Sequence, residues 1–225
     1  MKMKMMSEEI RHHLPESVMA AYSAGTLPEA YSLVVACHVS ICDACRATLS
    51  SYDAVGGALL QDTDTVVISD DALAKTMALI AEMPMDEPVG KSAGSEVRDP
   101  LFPQPLQDYV GGGVDDVKWK RVGGGVRQAI LADSEGATAR LLYIPAGMAV
   151  PDHGHRGLEL TMVLQGAFSD EVDRFKRGDV EVGNEDLEHT PIADAGEDCI
   201  CLAATDAPLV FNSFLPRLLQ PFLKI

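Results

Sequence analysis

Positive charge is scarce in this sequence. Its 225 residues carry 18 Lys and Arg against 34 Asp and Glu, a formal net charge of −16 at pH 7. A surface this acidic is repelled by a phosphate backbone, so direct nucleic-acid binding is not expected and a basic protein partner fits better. Acidity that only maintains solubility is the plainer alternative. Long apolar runs are also missing. None approaches the roughly 20 residues of a bilayer span, so no membrane partner is expected. The start, Met1-Lys2-Met3-Lys4-Met5-Met6, looks briefly like a signal n-region, but charged Ser7-Glu8-Glu9-Ile10-Arg11-His12-His13 follows. No export signal is read, and a cytoplasmic location is the expectation. The five cysteines are an odd number, and three of them cluster near a histidine. That pattern suits metal binding in a reducing compartment better than a disulfide framework. No internal repeat is present.

The stretch around which the chain is organised runs from His38 to Cys45. His38, Cys42 and Cys45 stand at i, i+4 and i+7, on one face if the segment is a single α-helix. Two thiolates and an imidazole prefer zinc over magnesium or calcium. A tetrahedral site needs a fourth ligand, and His13 is the best-placed candidate. Two buried structural cysteines beside an ordinary histidine are the bland alternative. Cys37 points about 100° away round such a helix and is left out.

Residues 13 to about 83 read as helical. Pro15 and Glu16 open one helix and Gly25 closes it. Thr26-Leu27-Pro28-Glu29 has capping-box form and opens a second, which carries the ligand cluster and ends near Gly56-Gly57. Ser69-Asp70-Asp71 is expected to cap an amphipathic helix with Leu73, Met77 and Ile80 at helical spacing. Prolines 84, 88, 100, 103 and 105 mark a linker. Beyond it, strand-like runs at 119–122, 126–131, 138–144, 158–164, 180–182, 199–204 and 209–211 alternate with Gly-rich turns, which suggests a sandwich or jelly roll. The expected fold is α+β and multidomain. A zinc-binding helical bundle (1–85) and a Pro-rich linker (86–105) lead to an all-β jelly-roll domain (106–225).

A second constellation lies in the β half. His153 and His155 share one side of an extended strand, Glu159 follows on the next, and His189 comes later in the chain. Three imidazoles and a carboxylate suit a divalent first-row transition metal, with zinc, iron, manganese, nickel or cobalt all compatible. Five of the six histidines fall into the two sets; His12 alone is left over.

Gly147, His153, His155, Glu159 and Gly166 match the first cupin motif at every defined position. The second motif is partial: Gly178 and His189 stand at the expected separation, but Asn184, Asp186 and Ala193 replace its other members. The helical zinc pattern, the linker and the cupin together resemble the ChrR-type zinc-binding anti-sigma factors over nearly the whole chain, including the runs 19–30 and 150–161. The resemblance implies a cytoplasmic, non-enzymatic protein that blocks an ECF-type sigma factor. It implies release under oxidative stress, from singlet oxygen or organic peroxide, with the cupin needed for the response. It also implies zinc on His13, His38, Cys42 and Cys45, and a cupin metal on His153, His155, Glu159 and His189. Residues 1–90 hold 13 Asp and Glu against 5 Lys and Arg, an acidic face that could compete for a basic sigma surface.

The alternative is a metal-dependent cupin enzyme, a dioxygenase or isomerase, with Asp186 and Glu188 beside His189 as candidate bases or solvated turn residues. Cys199 and Cys201 face one side of a strand, either as buried packing or as an oxidant-responsive pair.

Overall fold

The computed structural model describes residues 9–83, 99–134, 136–208 and 210–211. Of the expected linker, residues 86–98 lie outside the described residues, as do residues 212–225 of the β half.

The helices are α1 (Glu16–Ser23), α2 (Glu29–Ile41), α3 (Asp43–Gln61), α4 (Ala72–Glu82) and α5 (Gln104–Val110). The strands are β1 (Lys120–Gly123), β2 (Val126–Ser134), β3 (Ala137–Ile144), β4 (His153–Gly154), β5 (Glu159–Gln165), β6 (Ala167–Ser169), β7 (Arg174–Lys176), β8 (Val180–Gly183), β9 (Glu188–His189), β10 (Ile192–Ala193), β11 (Cys199–Thr205) and β12 (Val210–Phe211).

Gly25 closes α1 as expected, at φ 66°. The capping box before α2 does not form: Pro28 occupies the cap position without a side-chain bond, and the Thr26 hydroxyl donates back to the Ala21 carbonyl at 3.1 Å. The larger difference lies in the ligand cluster. It does not sit on one helix, because α2 stops at Ile41 and α3 leaves at 116° to it. Cys42 at the joint is extended (φ −105°, ψ 106°), and its thiol accepts from the Cys45 amide at 3.5 Å. A sulfur acceptor at the cap satisfies one of the free amides of a helix start. α3 then runs through Gly56-Gly57 to Gln61.

One six-stranded antiparallel sheet has the order β1-β2-β3-β11-β5-β8; β10-β6-β7 and β12-β4-β9 form two smaller sheets. Alternation assigns the faces of the large sheet. Leu141, Leu202 and Met162 align across β3, β11 and β5 on one face. They share a core with Val34 and Val35 of α2 and Leu106 of α5. The next row, Arg140, Ala203, Thr161 and Glu181, faces the barrel interior. The helical half and the β half therefore share one apolar core. Part of the segment read as linker belongs to it, since Phe102 is buried there beside Leu106 of the third part. Proline at the helix start allows α5 to begin so soon after that segment.

The turn between β7 and β8 meets the helical half. Gly178 has φ +92°, and a Cβ there would stand 2.8 Å from Ile10, so both backbone and packing require glycine. Asp179 is fully buried and accepts the amides of Arg11 at 2.7 Å, His12 at 3.0 Å and Lys176 at 3.0 Å. The leftover His12 belongs to this contact: Nε2 lies 3.0 Å from Asp173, and its ring packs 4.4 Å from that of Phe175.

Two candidate metal centres

At the α2–α3 joint, His13, His38, Cys42 and Cys45 gather their donor atoms within 4.8 Å of one another. His38 comes from the last turn of α2, Cys42 from the joint, Cys45 from the first turn of α3 and His13 from the segment before α1. His38 Nε2 is 3.2 Å from Cys45 Sγ, and His13 Nδ1 is 3.4 Å from Cys42 Sγ and 3.6 Å from Cys45 Sγ. A tetrahedral zinc with ordinary bond lengths sets sulfur–nitrogen edges of about 3.5 Å, so the spacing fits that ion. Burial lowers the pKa of His38 to about 4, which keeps the ring in its neutral, ligating form. Its Nδ1 lies 3.0 Å from the Gly178 carbonyl; donation there turns the Nε2 lone pair toward the cluster. Burial, with Cys42 alongside, raises the Cys45 thiol to about 11, and a divalent cation reverses that by favouring the thiolate. Cys37 lies outside the group, and burial pushes its thiol up to about 12.

In the β half, His153 on β4 and His189 on β9 are paired directly across two strands. His155 follows β4, and Gly183 leaves its ring room, since a Cβ there would lie 3.1 Å from Nε2. All three Nε2 atoms converge: His155 to His189 and His189 to His153 are each 3.2 Å. Each Nδ1 has a partner behind it. His153 faces the Pro151 carbonyl at 2.9 Å, His155 faces Glu159 at 3.5 Å, and His189 faces Asp170 at 2.8 Å and Glu181 at 3.1 Å. In the neutral rings, Nδ1 donation outward would turn each Nε2 lone pair toward one point. Ligands about 2.0–2.1 Å from a common ion stand roughly 3.0–3.4 Å apart, so this donor set also fits a cation.

Glu159 stands apart from that convergence. It is not among the mutually close donors; its Oε2 lies on the Nδ1 side of His155, and its Oε1 accepts from the Thr161 hydroxyl at 2.9 Å. Sequence reasoning missed Asp170 and Glu181, which form a further close group with His189. Burial pushes Glu181 up to about 7, assisted by Asp170. Burial opposes ionisation of Asp170, yet hydrogen bonds to Glu181 and His189 hold it down to about 2. Burial also opposes a charge on His189, and the two carboxylates overcome it, lifting that ring to about 9. The one sequence signal was Glu181 between Val180 and Val182, an acid facing inward where its neighbours face the core. Asp186 and Glu188 are exposed.

A cavity of about 70 Å³ opens beside the imidazoles and includes Cys201, whose Sγ is 3.5 Å from that of Cys199. The hydrogen bond with Cys199, and then burial, push the Cys201 thiol well up.

A helical unit carrying a His2Cys2 cluster, packed on a cupin barrel carrying three convergent imidazoles, defines a two-part protein with two candidate metal centres. A sequence model of the family described as the ChrR cupin-like domain matches residues 109–207. The chain is 58% identical over 216 residues to the anti-sigma-E factor ChrR of Cereibacter sphaeroides, covering 96% of this chain and 99% of that protein. The crystal structure of Rhodobacter sphaeroides SigE in complex with the anti-sigma ChrR aligns at a TM-score of 0.76 and 55% identity, covering 88% of this chain and 100% of that one. The chain belongs to the ChrR family of anti-sigma factors.

Proposed function

We propose that this protein is a cytoplasmic anti-sigma factor. Its helical half binds an ECF-type sigma factor and blocks its use by RNA polymerase, and its cupin half governs release under oxidative stress. One observation carries the binding half of this reading. α4 has no buried residue, and Leu73, Met77 and Ile80 lie exposed on it, with Leu59 and Leu60 exposed at the end of α3. Leu73, Met77 and Ile80 share one face of α4 by their spacing, an exposed apolar stripe of the kind that marks a protein interface, and the acidic balance of residues 1–90 suits a basic partner. Among the described residues no single helix is long and apolar enough to cross a membrane.

In this reading, zinc on His13, His38, Cys42 and Cys45 ties the segment before α1 to the α2–α3 joint. A divalent transition metal, zinc first and manganese, iron or nickel as alternatives, is held in the cupin by His153, His155 and His189, with Glu159 as the fourth ligand carried over from the family resemblance. The functional division follows residues 1–85, 86–105 and 106–225, with α5, which spans the second boundary, packed on α2 of the first part.

The signal enters at the cupin cavity. Cys199 and Cys201 offer one route. Joining the two thiols releases two protons and two electrons, which reduce an organic hydroperoxide to its alcohol and water. A disulfide needs the sulfurs about 2.05 Å apart, so β11 must distort, and β11 supports α2 through Leu202 and Ala204. The test is co-purification of tagged protein from its host with metal analysis. A bound ECF sigma factor and zinc support the reading; recovery without any sigma factor overturns it.

A further inference from the structure

The barrel holds a charge that neither candidate centre uses. Arg140 on β3 is 6% exposed and lines the cavity in the same cross-strand row as Ala203, Thr161 and Glu181. Among the described residues its side chain takes part in no hydrogen bond or ion pair, and its buried Nε has no acceptor. Glu159 and Asp133 act on it through space, offsetting in part the fall in pKa that burial causes. A guanidinium offers five donors and stays charged in proteins, and a buried one without a partner is costly. Neither neighbouring hydroxyl accepts from it: Thr161 donates to Glu159, and Thr205 donates to the Ala207 carbonyl and accepts from the Ala207 amide.

The rest of the cavity indicates what would answer Arg140. The wall includes Leu142, Ile144, Val150 and Phe168. A water-sized site takes roughly 10–15 Å³, so about 70 Å³ admits a ligand of about five heavy atoms. A phosphate dianion would face the acids Glu159 and Glu181, with Arg140 the one guanidinium or ammonium group among the lining residues. A carboxylate matches the guanidinium fork and carries a single charge.

We propose that the cupin interior binds a small organic carboxylate, with Arg140 on its head group and the wall of Leu142, Ile144, Val150 and Phe168 along its tail. The site does not depend on a metal at the three histidines, because both sets of contacts lie outside them. It does bear on regulation: the ligand would press on the inner face of β3 and β11, whose outer face carries α2.

The test uses the full chain, as purified and after chelation and zinc reloading. Acetate, butyrate and hexanoate are titrated by calorimetry and thermal shift, with butyramide as the uncharged control. A carboxylate should bind and raise the melting temperature in both metal states, and butyramide should not. Arg140→Met should weaken carboxylate binding by roughly tenfold or more. The unliganded variant should melt above the unliganded parent, since it loses an unanswered buried charge. Arg140→Lys keeps the charge without the fork, and should fold and bind more weakly than the parent. Equal response to butyrate and butyramide, or none to any carboxylate, overturns the proposal. So does unchanged binding in Arg140→Met, or a lower melting temperature of that variant without ligand, which would show that Arg140 is satisfied internally. Binding that disappears on chelation but survives Arg140→Met places the anion on the metal, and also overturns it while leaving the metal reading intact.

Discussion

His38 and Gly178 join the two halves of the molecule: the imidazole Nδ1 and the glycine carbonyl oxygen are 3.0 Å apart. The hydrogen bond behind a candidate metal ligand of the helical half therefore comes from the cupin. The same short segment continues through Asp179, which accepts the Arg11 and His12 amides, to Glu181, which stands 3.1 Å from His189. Residues 178–181 thus touch both candidate centres.

This contact is testable by Asp179→Ala. Three amides lose a buried charged acceptor, with an expected cost of about 3 kcal/mol in chemical denaturation at neutral pH. Backbone hydrogen bonds hold the pKa of Asp179 down against burial. A depressed folded pKa contributes stability above the unfolded value and loses it as pH falls. The cost of the substitution should therefore shrink below the ordinary aspartate range near about 3.9. Zinc release to a chelator should also be faster in the variant. An unchanged stability and release rate would show that the turn is incidental.

Cys42→Ala and Cys45→Ala should each lose about one zinc per chain, and much of the α1–α3 helicity with it, because structural zinc contributes roughly 10–16 kcal/mol in small peptides. Cys37→Ala should keep the zinc. Metal analysis and circular dichroism on the three variants distinguish a zinc cluster from ordinary buried cysteines.

Met77→Glu and Ile80→Glu change exposed positions of α4. Each should leave the melting temperature within a few degrees of the parent. Each should weaken sigma binding by roughly tenfold or more, as expected for an apolar anchor. Calorimetry with the purified sigma factor checks this, and unaltered affinity in both would place the interface elsewhere.

The sensing half of the proposal is tested in cells with a sigma-dependent reporter. Cys199→Ser combined with Cys201→Ser should still silence the reporter but should blunt its induction by organic peroxide. His155→Ala should behave similarly if the cupin metal takes part. Full induction in both would remove the cupin from the response and leave the thiolates of Cys42 and Cys45 as candidates.

Much of this was legible in the sequence, because it rests on local spacing. The short strand-like runs at 138–144 and 199–204, set off by turn residues, marked the central strands. The set of His13, His38, Cys42 and Cys45 could be read although its assumed single helix is broken at Cys42. That break follows from the way Cys42 caps α3, and helical periodicity carries no trace of it. α5 escaped notice because its prolines read as linker, whereas the burial of Phe102 and Leu106 is a tertiary effect. Asp170, Glu181 and Arg140 were not singled out, since only strand pairing brings them into the barrel. The outward position of Glu159 relative to the three Nε2 atoms likewise depends on side-chain packing that no motif encodes.

The central claim is most directly tested by run-off transcription from a promoter served by an ECF sigma factor of the same host, with core polymerase and increasing amounts of the zinc-loaded full chain. The account predicts that transcripts disappear near equimolar protein to sigma factor and persist when Cys42→Ala is used instead. Undiminished transcription with the intact protein in large excess, for every ECF sigma factor of the host, would contradict it.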